Sequence, residues 1–103
     1  MTHKYLKTLA ECLCGIHQPE RMTRFLSEIL TPTELENIVL RWRIFHLLFE
    51  GVSQREISQL LGVSLCKITR GARELKRPKS LVKHLLQKES SPKNPSKKSE
   101  NLK

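Results

Sequence analysis

Apolar side chains recur along the chain at three- and four-residue steps, and nowhere do apolar and polar residues alternate as they would in a strand. That periodicity predicts an all-α protein of five to six helices. A first helix over residues 3–14 has Tyr5, Leu6, Leu9, Cys12 and Leu13 as its apolar stripe, and Gly15 through Pro19 ends it. A second, over 20–30, carries Met22, Phe25, Leu26 and Ile29. Thr31-Pro32-Thr33-Glu34 is a start signal for a third, because Thr31 can cap, Pro32 suits the first helical position and Glu34 can return the capping-box bond. This helix is expected to reach Glu50 and stop at Gly51. Between Leu35 and Phe49 ten of fifteen positions are apolar, so most of its circumference is apolar. A helix packed on one neighbour needs only a stripe, so this one must be surrounded. So small a chain has few helices to do that, and an intertwined homodimer that lends helices from a second copy is the economical solution.

Ser53-Gln54-Arg55-Glu56 is a second capping box, opening a short helix that Gly62 breaks. Ser64 caps another running to about Lys76, and Pro78 follows it. Ser80 starts a last helix through Leu81, Val82, Leu85 and Leu86. From Ser90 the sequence reads SSPKNPSKKSENLK, with its first hydrophobic residue at Leu102. The expected organisation is a single helical domain over residues 1–90 and a disordered basic tail over 91–103.

The 103 residues hold 38% hydrophobic side chains, enough for one small domain with a thin core. Lys and Arg outnumber Asp and Glu by 19 to 10, a formal charge of +9. The excess is segregated: residues 1–52 are neutral, 53–79 carry +5 and 80–103 carry +4. A positive field that begins at Ser53 points to an anionic partner for the second half, nucleic acid being the commonest. Every acidic residue is Glu, which disfavours carboxylate-rich calcium and two-metal sites. The three cysteines, Cys12, Cys14 and Cys66, are an odd count in a chain whose N-terminal stretch lacks a signal-peptide core, so reduced thiols and a cytoplasmic location are expected. No metal site is expected, since Cys12 and Cys14 point apart on a helix and no histidine stands at ligand spacing to them. No apolar run approaches the roughly 18 residues of a membrane span.

The segment QREISQLLGVSLCKITRGARELK fits a helix-turn-helix over about 54–77. Gly62 occupies the turn position that needs positive φ. Ser58 is small enough for the helices to cross, and it is also counted with the DNA-facing set. Ile57, Leu61, Val63 and Ile68 fall where the pair must bury apolar side chains. In this motif the second helix enters the major groove, so Leu65, Cys66, Lys67, Thr69 and Arg70 are candidates for base edges and groove walls. Lys67 suits guanine acceptors, and Thr69 can meet a thymine methyl or a hydrogen-bonding edge. Gln54, Arg55, Arg73, Lys76 and Arg77 are better placed for phosphates, which position a protein without reading sequence.

LTPTELENIVLRWRIFHLLFEG, followed by SQREISQLLGV and ITRGARELK, resembles the Trp repressor family over roughly residues 20–90. The resemblance implies an all-helical, intertwined dimer that binds free L-tryptophan as corepressor, a regulatory ligand and not a cofactor. The ligand sets the angle of two reading heads, so that both reach successive major grooves of a double-stranded operator. The implied ligand residues are Thr31 and Arg70 at the amino-acid carboxylate, Arg41 flanking the indole, Gly71 leaving room beside the ligand, and Leu30 contributing backbone. Two guanidinium planes can sandwich an aromatic ring while one pairs with a carboxylate. Three positions depart from the family. Glu74 replaces a serine near the ligand's amino group, Phe45 stands where a smaller apolar residue lines the pocket, and Gly51-Val52-Ser53 is one residue shorter than the usual link. All three touch the effector and the switch.

The leading expectation is a sequence-specific transcriptional repressor switched on by an amino-acid corepressor, L-tryptophan. Two alternatives are an effector-independent DNA-binding protein of the same fold and a helical protein-interaction adapter. No enzyme is indicated, because no nucleophile–base arrangement or phosphate loop is present and Gly15, Gly51, Gly62 and Gly71 stand alone.

Overall fold

The computed structural model describes residues 2–89, and the expected tail over 91–103 lies outside them. Six helices follow one another: α1 (Thr2–Cys14), α2 (Pro19–Ile29), α3 (Pro32–Phe49), α4 (Gln54–Leu61), α5 (Leu65–Leu75) and α6 (Leu81–Glu89). No strand occurs among the described residues. The chain divides into two compact units, one ending at Val39 and the other beginning at Leu40, so the boundary falls within α3.

In the first unit, α1 closes with Gly15 N–H donating to the Cys12 carbonyl at 3.0 Å. Helix α2 begins with Pro19 at its first position, where the missing N–H has no helical partner to lose. The Thr31/Glu34 capping box is formed: Glu34 N donates to Thr31 Oγ1 at 3.1 Å and Thr31 N donates to Glu34 Oε1 at 2.9 Å. None of this unit's side chains described is buried, although Tyr5, Leu6, Ile29, Ile38 and Val39 are all large and apolar.

The second unit has a core. Ile44 of α3, Ile57 of α4 and Ile68 of α5 pack together, with Leu40, Leu47, Leu48, Val52, Leu61 and Val63 around them. Ile57 and Ile68 are completely shielded from solvent, and Leu86 nearly so. Helix α3 ends in a Schellman arrangement: Gly51 adopts φ 91°, Val52 N donates to the Leu47 carbonyl and Gly51 N to that of Leu48, each at 3.0 Å. This short link also delivers Val52 into the core.

Helix α4 opens with the full Ser53/Glu56 capping box and ends at Gly62, whose φ of 66° is left-handed. Ser64 accepts from Lys67 N to start α5. Ile57, Leu61, Val63 and Ile68 are indeed the side chains that hold the two helices together. Helix α3 is not surrounded within one chain: only Ile44 on it is buried, while Ile38, Val39 and Trp42 are exposed.

Candidate effector pocket and nucleic-acid interface

Helix α5 has three faces with different neighbours. Ile68 and Gly71 are buried against the core. Gly71 faces α3, where a Cβ built on it would make ordinary contacts, 3.4 Å from Leu48 Cδ1, 3.5 Å from Ile44 Cγ2 and 3.6 Å from Phe45 Cε1. Arg70, Gly71 and Glu74 line a cavity of about 370 Å³ together with Arg41, Ile44 and Phe45 of α3 and Val82 of α6. That volume lies within the range of small-molecule sites. The third face carries Leu65, Cys66, Thr69 and Arg73, all exposed, and the exposed Lys67 stands one turn before Arg70 and Gly71 on the cavity side.

Five residues expected at a ligand, Arg41, Phe45, Arg70, Gly71 and Glu74, are thus brought together on one cavity wall. Two guanidinium groups and one carboxylate stand on an otherwise apolar lining, a set that complements a zwitterion with a flat apolar body. Glu74 pairs with neither pocket arginine. It accepts twice from Arg77 Nη1, at 3.2 and 3.3 Å. Both partners are more than a third exposed, so the pair contributes roughly 0–1 kcal/mol and leaves Arg70 and Arg41 available. Leu30 and Thr31 belong to the first unit, at the α2–α3 junction. The Thr31 hydroxyl accepts from Glu34 N and keeps its own proton to donate.

Ile44 and Val82 are pocket residues that sequence reasoning assigned to the apolar pattern alone. Ile44 shows one face to the core and another to the cavity. Val82 was legible as a member of the last helix's apolar stripe, but which neighbour that stripe meets depends on how α6 returns onto α5.

The helix-turn-helix residues are placed as follows. Gln54 is the first residue of α4 and half-buried, and Arg55 is exposed beside it. The Ser58 hydroxyl donates to the Val63 carbonyl at 2.7 Å, so this half-buried side chain ties the turn. Thr69 Oγ1 donates to Gln54 Oε1 at 2.8 Å, linking the two helices at their exposed edge. Lys76 is the C-cap of α5, with Arg77 just beyond it. The three cysteines are free and exposed. Among the described residues no group of three His, Cys, Asp or Glu could hold a metal ion. No described helix is long and apolar enough to cross a membrane.

The family model of the Trp repressor protein matches residues 4–90, which takes in α2 to α6 and all of α1 from Lys4 on. The chain belongs to the Trp repressor family. It is a family of repressors, not of enzymes. Similar curated proteins include Trp operon repressor homologs of Aliivibrio fischeri (strain MJ11), 52% identical over 63 residues covering 60% of this chain and 54% of the relative, and of Vibrio cholerae, 48% identical over 60 residues covering 57% and 58%. A third, from Xylella fastidiosa (strain M23), is 44% identical over 68 residues covering 65% of this chain and 74% of the relative. The chain spans about half the length of the first two relatives. No solved structure matches the chain significantly.

Proposed function

We propose that the protein is a homodimeric, operator-specific transcriptional repressor acting in the cytoplasm, whose affinity for DNA is raised by bound L-tryptophan. One observation carries the reading. Helix α5 lines a ligand-sized cavity with Arg70, Gly71 and Glu74, and presents Leu65, Cys66, Thr69 and Arg73 to solvent from another side, with the exposed Lys67 one turn before Arg70 and Gly71. A ligand in that cavity therefore bears directly on the helix that reads DNA. It shifts the equilibrium by whatever affinity difference it has for the two settings of that helix.

In this reading Arg70 pairs with the ligand carboxylate, Arg41 stacks on the indole, and Phe45 and Ile44 close the apolar side. Glu74 draws the ammonium. Thr31 and Leu30 are proposed as further contacts on the family resemblance alone. On the DNA side Lys67 meets base edges, with Leu65 and Cys66 against the groove wall. Gln54, Arg55, Arg73, Lys76 and Arg77 engage phosphates. Ser58 serves this interface by fixing the turn. The homodimer is supported by the first unit, which has large apolar side chains and no buried ones.

The experiment is a titration of the protein on a duplex it selects from a random-sequence pool, with and without L-tryptophan, over a range of salt. The reading requires tighter binding with ligand and an affinity that falls steeply with salt. Equal affinity in both conditions would leave an effector-independent DNA-binding protein. A flat salt dependence would favour an adapter role.

A further inference from the structure

Thr69 sits on the exposed side of α5, where the motif puts base-reading side chains, yet its hydroxyl proton is already directed within the protein. It is donated to Gln54 Oε1 at 2.8 Å, across fifteen residues of sequence. The acceptor is the first residue of α4, half-buried at the entrance of that helix. Because Gln54 receives this bond on its oxygen, its amide nitrogen keeps both protons. Among the described residues no protein group accepts from that nitrogen. Its neighbours leave it undisturbed: the Ser53 hydroxyl accepts from Glu56 N, and the Glu56 carboxylate reaches back to Ser53.

We propose that Thr69 is a positioning residue for DNA binding: its hydroxyl orients Gln54 so that the two Nε2 protons of Gln54 meet a phosphate oxygen at the edge of the major groove. This rests on the DNA-binding reading above and assigns Thr69 a different part in it from a base reader. While it holds Gln54, the Thr69 hydroxyl has no proton for a base or a phosphate. The bond also removes rotamer freedom that an exposed glutamine would otherwise lose on binding, so the donor pair is preorganised. Gln54 is uncharged, so its contact releases no counterion and leaves the salt slope alone, unlike the contacts of Arg55 or Arg73.

The test uses the full chain, L-tryptophan and a duplex selected from a random pool by the wild-type protein. Thr69→Val removes the hydroxyl and keeps the shape, Thr69→Ser keeps the hydroxyl, and Gln54→Ala removes the donor. Gln54→Glu keeps an oxygen for Thr69 but offers no proton to a phosphate. Thr69→Val and Gln54→Ala are each expected to weaken binding about fivefold per half-site, the scale of one neutral hydrogen bond. The double variant should be no weaker than either single change, because both remove one contact. Thr69→Ser should bind within about twofold of wild type, and Gln54→Glu should bind more weakly than Gln54→Ala through its charge. Repeating the selection with Thr69→Val should return the same bases, and the salt slope should stay unchanged.

Additive losses, a Thr69→Ser protein as weak as Thr69→Val, or an altered base preference would overturn the assignment while leaving the repressor reading intact. A wild-type protein that enriches no duplex at all would overturn both.

Discussion

Arg70 is exposed, lines the ligand cavity and lies one position from Thr69 on the DNA-facing side. Charge-assisted hydrogen bonds to a carboxylate are worth roughly 1.5–3 kcal/mol, so Arg70→Ala should weaken L-tryptophan binding at least about tenfold. Calorimetry with the ligand measures that loss, and duplex binding should no longer respond to tryptophan. Lys67→Ala should behave oppositely, with duplex affinity falling about tenfold while calorimetry still finds the ligand bound. Gly62 tests the backbone. Its φ of 66° strains any residue with a Cβ, although nothing stands within 4 Å of one built there. Gly62→Ala should therefore cost about 1 kcal/mol through conformation alone, read as a lower midpoint in thermal or denaturant unfolding. Gly62 was legible in the sequence because the turn position demands what only glycine supplies cheaply. Arg41 and Arg70 were legible as charged residues only, and the family resemblance suggested that they face one ligand.

The helices were easy to read because their ends are written in local chemistry. Ser53 with Glu56, Ser64, and Thr31 with Glu34 each satisfy backbone donors within three residues, so no distant contact has to intervene. Gly51 and Gly62 close α3 and α4 in the same local way. Ser53→Ala should lower unfolding stability by about 1 kcal/mol, since it orphans the Glu56 amide, while leaving the ligand cavity unchanged. Ends without such signals drifted by one residue, α2 stopping at Ile29 instead of Leu30 and α5 at Leu75 instead of Lys76, and α3 stops at Phe49, one residue before the expected Glu50. Helix α6 was foreseen from its apolar spacing, but not the use of Val82 in the pocket wall. The His46–Glu89 contact at 3.3 Å, which joins α3 to the last residue of α6, was likewise invisible beforehand.

Among the described residues, one chain leaves ten large apolar side chains exposed, including Tyr5, Leu6, Val39 and Trp42, against four buried in the core. An imbalance of that size fits a chain that completes its core with a second copy. Sedimentation at micromolar concentration should show a dimer. Val39→Glu separates the possibilities cleanly, because Val39 is 58% exposed in a single chain. If the protein works as a monomer, a charge there should change stability by no more than about 0.5 kcal/mol. If two copies bury Val39, the variant should sediment as a monomer and lose duplex binding together with its second reading head. The charge distribution fits the same picture: the half that would form the dimer is neutral, and the positive field begins at the cap of α4.

Periodicity, caps and turn glycines act over three to five residues, and from them the sequence alone determined the six helices, the helix-turn-helix and the two isoleucines, Ile57 and Ile68, at its centre. The placement of the pocket residues is of another kind. Arg41 and Glu74 are far apart in sequence, and they share a cavity because α5 packs with its Gly71 side against Ile44, Phe45 and Leu48 of α3. The same holds for the Thr69–Gln54 bond, which exists only because the turn at Gly62 returns α5 across the start of α4. Such contacts depend on helix packing, and only the tertiary structure decided which side chains bound a ligand site and which orient one another toward DNA.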